Sequence, residues 1–66
     1  MISYNPLWKT LIDKKISKSD FRVACNISKQ TYADMNKDKF VSLKTINKIC
    51  KFLNCNISDV IEYVDE

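Results

Sequence analysis

The 66-residue chain contains no glycine, no histidine and a single proline, Pro6. Without histidine it lacks the side chain that most often moves protons near neutral pH and an imidazole ligand for metals. Without glycine no glycine-rich phosphate loop can form, and no nucleophile stands beside a base at a recognisable spacing, so an enzyme is not expected. Its three cysteines (Cys25, Cys50, Cys55) include no C-x-x-C pair, offer no zinc set and cannot all pair internally. Cys25 and Cys50 read as small buried apolar residues, Cys55 as partly exposed. Apolar runs of membrane-spanning length are missing, and MISYNPLWKT lacks the basic segment and apolar stretch of a secretion signal, so a cytoplasmic protein without membrane contact is expected. No low-complexity tract or internal repeat is visible, and the length suits one domain, 1–66, with one compact core and no cleft walled by two subdomains.

What is present is unevenly placed charge. All eleven basic residues fall between Lys9 and Lys51, against four acids (Asp13, Asp20, Asp34, Asp38), a local charge of +7. Beyond Lys51 come Asp59, Glu62, Asp65 and Glu66, a charge of −4. The split suits a polyanion partner for the first four fifths of the chain, and equally a solvated lysine-rich surface.

Apolar spacing predicts an all-α fold of five short helices, about 6–15, 18–25, 29–36, 43–53 and 57–64, with no strand. Asn5-Pro6 reads as a helix start, followed by Leu7, Trp8, Leu11 and Ile12 on one face. Ser17 and Asp20 open the second helix, whose buried stripe is Phe21, Ala24 and Cys25. Tyr32 and Met35 share a face with Ile27 in the third. Residues 36–41 (NKDKFV) form a loop in which Phe40 and Val41 turn to the core. Ser42 caps a fourth helix with the stripe Leu43, Ile46, Ile49, Cys50 and Leu53, and Asn56 with Asp59 opens a fifth, with Ile57, Val60, Ile61 and Val64 inward. Asn26, Asn36 and Asn54 stand where left-handed glycines are usual, and asparagine is the next most tolerant residue there.

Two short helices joined by about three residues, the second starting at a serine, have the layout of a helix-turn-helix. Together, ISYNPLWKTLIDK, KSDFRVACNISKQTYADMNK, VSLKTINKICKFLNC and NISDVIEYV resemble the Cro and phage-repressor type of helix-turn-helix domain, the XRE family, over nearly the whole chain. The resemblance implies a lambda-repressor-like DNA-binding domain with the motif at helices 2 and 3. Two positions depart from the family pattern: Arg22 stands where alanine is frequent, and Asn26 where the turn usually has glycine.

If Tyr32 and Met35 point inward, Lys29, Gln30, Ala33, Asp34 and Lys37 lie on the opposite face by helical periodicity. Lysine can donate to guanine, glutamine can pair with adenine, aspartate can accept from cytosine and alanine can meet a thymine methyl, so Lys29, Gln30, Ala33 and Asp34 are the candidate base readers. The candidate phosphate contacts are Lys18 and Ser19, Ser28 with Thr31, Ser42 with Lys44, and the loop lysines Lys37 and Lys39. Each taken singly is also an ordinary solvent-facing residue. One short helix reads only a few base pairs, so a homodimer on an inverted repeat of double-stranded DNA is expected, with Tyr63 and Val64 of the acidic final segment as candidate interface residues. No cofactor or small-molecule ligand is implied. The expected function is a sequence-specific transcriptional regulator, a repressor acting by occupancy; the alternative is a protein-interaction module, adaptor or antitoxin-like, that keeps the fold without reading DNA.

Overall fold

Three serines start three helices in the same way. In the computed structural model, which describes residues 1–65, Ser17, Ser28 and Ser42 are extended, and their hydroxyls accept the amides of Asp20, Thr31 and Thr45. This satisfies one of the amides that a helix start leaves without an internal partner. The helices are α1 (Asn5–Asp13), α2 (Lys18–Ala24), α3 (Lys29–Asn36) and α4 (Leu43–Leu53). Glu66, the last acid counted above, lies outside the described residues.

All four helices also end in one way. Lys15, Asn26, Asp38 and Asn54 have φ of 59°, 56°, 55° and 52°. After each, the next amide returns to a carbonyl five residues back: Ile16 to Leu11, Ile27 to Arg22, Lys39 to Asp34 and Cys55 to Cys50, at 2.9, 2.9, 2.9 and 3.1 Å. This is the Schellman closure, built four times without glycine. Asn26 and Asn54 take the left-handed role expected of them. Asn36 does not, because α3 runs through it and the positive φ falls two residues later, at Asp38. Similarly α1 stops at Asp13 because Lys15 is already left-handed.

The expected fifth helix is replaced by a single 3-10 turn, Ile57–Asp59, and a strand. Asp59 reaches back to the amide of Asn56 at 3.1 Å, so the helix signal is obeyed for one turn. The β-branched and aromatic run that follows then extends: β2 (Glu62–Tyr63) pairs antiparallel with β1 (Ile2–Ser3), Ile2 opposite Tyr63 and Ser3 opposite Glu62. The amide of Val64 adds a bond to the carbonyl of Met1 at 2.8 Å. The expectation of no strand therefore fails at both ends of the chain.

Pairing also moves the start of α1. Tyr4, not Asn5, is the cap residue, and its side chain does not cap. Instead the Ser3 hydroxyl accepts the Asn5 amide at 3.2 Å, and the Asp38 carboxylate accepts the Tyr4 amide at 3.3 Å.

The core joins Leu7 and Leu11 of α1, Phe21 of α2, Cys25, Ile27, Met35 of α3, and Ile46, Ile49 and Leu53 of α4, closed by Tyr4 and Val60. Several expected core residues lie outside it. Ile12 is 73% exposed, because Leu7 and Leu11 already occupy the face that α1 buries. Phe40 is 81% exposed and Leu43 74%, while neighbouring Val41 is half-buried and Ile46 buried. Ala24, Ile57 and Val64 are exposed, and Cys50, like Cys55, is half-buried.

Candidate nucleic-acid interface

The link between α2 and α3 is Cys25 to Ser28. Left-handed Asn26 reverses the chain, buried Ile27 anchors it, and Ser28 starts α3. Two cations hold the turn's carbonyls: Arg22 Nη1 donates to Ile27 at 3.5 Å, and Lys48 Nζ, from α4, to Asn26 at 3.1 Å. Arg22 is half-buried, with its guanidinium turned to the link. An arginine is thus accommodated where the resembling family often has alanine.

Helix α3 is fastened from beneath. Met35 is fully buried, and half-buried Tyr32 meets Trp8 of α1 edge to face, ring centroids 6.4 Å apart. This leaves Lys29 and Gln30, the first two residues of α3, exposed, with Ala33 and Asp34 half-buried one turn on. Gln30 Nε2 donates to Asp34 Oδ1 at 2.9 Å, so the two are brought together as a pair, and the aspartate orients the glutamine amide.

The candidate phosphate contacts fall into two groups. Lys37, Lys39 and Lys44 are exposed around the end of α3 and the start of α4, and Ser19 is exposed in the first turn of α2. The others are engaged within the protein. The Ser28 hydroxyl serves the amide and hydroxyl of Thr31, and the Ser42 hydroxyl serves those of Thr45. The ammonium of Lys18 sits 4.2 Å from the centre of the Trp8 ring and 3.4 Å from Asn36 Oδ1, tying α2 to α1 and α3.

Sequence reading missed the part played by Lys48. Its only signal was its place one turn after Lys44 on the polar side of α4, which a solvated lysine shares. Tyr4 was also missed: it is fully buried and its hydroxyl donates to the Lys39 carbonyl at 2.7 Å, pinning the loop that carries Lys37 and Lys39. Burial, reinforced by Asp38 and Asp34, raises the Tyr4 phenol above its ordinary value.

Among the described residues no group of three or more histidine, cysteine or acidic side chains could hold a metal ion, and no helix is long and apolar enough to cross a membrane.

The family model of the Cro/C1-type HTH DNA-binding domain matches residues 6–66. Among solved structures, the chain is similar to the transcriptional regulator VanUg in its crystal form II: 45% identity and a TM-score of 0.95, covering 98% of this chain and 87% of that one. Comparison with curated proteins gives no match.

Proposed function

The chain belongs to the Cro/C1-type helix-turn-helix DNA-binding family, and we propose that it is a sequence-specific transcriptional regulator, a repressor acting by occupancy, that places α3 in the major groove. One observation carries this reading. The start of α3 presents Lys29 and Gln30 to solvent while Ile27, Tyr32 and Met35 fix the helix below. A lysine suits guanine acceptors, and a glutamine held by Asp34 keeps an oriented amide for adenine. Ala33 and Asp34 would complete the reading edge.

Phosphate contacts come from Lys37, Lys39 and Lys44, with Ser19 beside them. The start of α3 at Ser28 and Thr31 and that of α4 at Ser42 add positive dipole ends facing the same backbone. Lys18 joins them on exchanging its Trp8 and Asn36 contacts for a phosphate.

A homodimer on an inverted repeat supplies the discrimination that one eight-residue helix lacks. Tyr63, 72% exposed on β2, and Val64 are the residues proposed for its interface, where the acidic tail keeps DNA away. The apolar exposure of Phe40 and Leu43 favours the second reading, a protein-interaction module, since neither would be needed to read bases.

Selection of random duplexes by the purified protein, at low and near-physiological salt, separates the two. Enrichment of an inverted repeat supports the dimeric reader. Unselective binding that vanishes as salt rises would overturn it and move the interaction module to first place.

A further inference from the structure

The four Schellman closures place, at each helix end, the residue that supplies the carbonyl beside the residue that supplies the amide. These pairs are Leu11 with Ile16, Arg22 with Ile27, Asp34 with Lys39, and Cys50 with Cys55. The first is apolar, the usual seal of this motif. At the end of α4 both positions are cysteine.

We infer that Cys50 and Cys55 form a dithiol modification site, converted by a hydroperoxide to an intramolecular disulfide that staples the end of α4. Their backbones are already joined through the 3.1 Å bond from the Cys55 amide to the Cys50 carbonyl, across the left-handed Asn54. A disulfide needs this kind of approach, its Cα atoms roughly 4.4–6.8 Å apart. Both cysteines are free and half-buried, whereas the third thiol, Cys25, is sealed in the core at 4% exposure.

Access is provided on the Cys55 side. Cys55 lines an open cleft of about 450 Å³ with Thr10 and Asp13 of α1, Lys14 just past its end, and Asp59. The Cys55 thiolate attacks a peroxide oxygen, the O–O bond breaks, and Cys55 sulfenic acid and one water (or alcohol) result. The Cys50 sulfur then attacks the sulfenic sulfur, the S–O bond breaks, and the disulfide and a second water form. The two thiols together lose two electrons and two protons, and the peroxide is reduced. Burial first, then Cys50 and Asp59, raise the Cys55 thiol, with Lys14 opposing, which lowers its thiolate fraction near neutral pH. The product ties α4 to the segment that continues through Ile57–Asp59 into β2.

Lys51 lies between the two cysteines and makes the test direct. The folded protein is treated with hydrogen peroxide, alkylated without reductant and cut with trypsin. The expected result is a single species in which fragments 49–51 and 52–66 are joined and lighter by two hydrogens, released by reductant and also formed by Cys25→Ser. Separate alkylated fragments, a bridge between two molecules, or sulfinic acid on Cys55 in place of the bridge would overturn the inference.

Discussion

Substituting Asn26 by alanine and by glycine measures what the turn of the motif demands of its backbone. Asn26 has φ of 56°, its side chain is exposed, and its carbonyl holds the Lys48 ammonium. Both replacements keep that carbonyl, so the Lys48 bond cancels in the comparison. A left-handed residue with a Cβ is strained by roughly 1–2 kcal/mol, of which asparagine recovers part through local polar contacts that alanine cannot make. Asn26→Ala should therefore destabilise by about 1 kcal/mol. Glycine removes the Cβ strain but frees the unfolded chain, an opposing term of about 0.4–1 kcal/mol, so Asn26→Gly should leave stability level or slightly higher. In a domain of this size 1 kcal/mol moves the thermal midpoint by about 4–8 °C, a gap readable by far-UV circular dichroism. A glycine variant that melts as low as the alanine variant, or an alanine variant that melts like the parent, would refute the reasoning.

Three further outcomes are expected. Lys29→Ala or Gln30→Ala should lose about 1–3 kcal/mol, roughly 5- to 150-fold in Kd, on the selected site and little on random duplex; uniform loss across sequences would remove them as base readers. Lys39→Ala or Lys44→Ala should weaken every sequence and flatten the slope of log affinity against log salt by about 1 each, and an unchanged slope would strike them from the phosphate contacts. The third concerns alkaline pH. Tyr4 and Cys25 are both raised by burial above their ordinary values of 10.0 and 9.0, so each favours folding while protonated. Their contribution is whole below those values and lost as pH climbs through the raised ones. The thermal midpoint should hold from pH 7 to 9 and fall above it, with Tyr4→Phe removing part of the fall; a midpoint already falling between 7 and 9 would count against this.

How far the residues announce this structure depends on the range of the interaction. Serine caps and left-handed helix ends are decided within six residues, and Ser17, Ser28, Ser42, Asn26 and Asn54 were all legible. Lys15 and Asp38 take the same conformation without a residue type that advertises it, because half-buried Ile16, packed against the core, and the tie from Asp38 to the Tyr4 amide hold them there. The strands were not legible at all. Residues 60–64 carry helical spacing and strand-forming side chains together, and the choice is made by Met1 to Ser3, some sixty positions away. The candidate site divides in the same way. That Lys29 and Gln30 are exposed follows from the period of α3, whereas the Lys48 and Arg22 bonds to the turn, and the Tyr4 bond to the loop, require the fold to exist first. The side chains proposed to read DNA are thus set locally, and the angle at which α3 presents them is set by contacts from α1, α2 and α4. A change at Lys48 should accordingly disturb every proposed base contact together, where a change at Lys29 disturbs one.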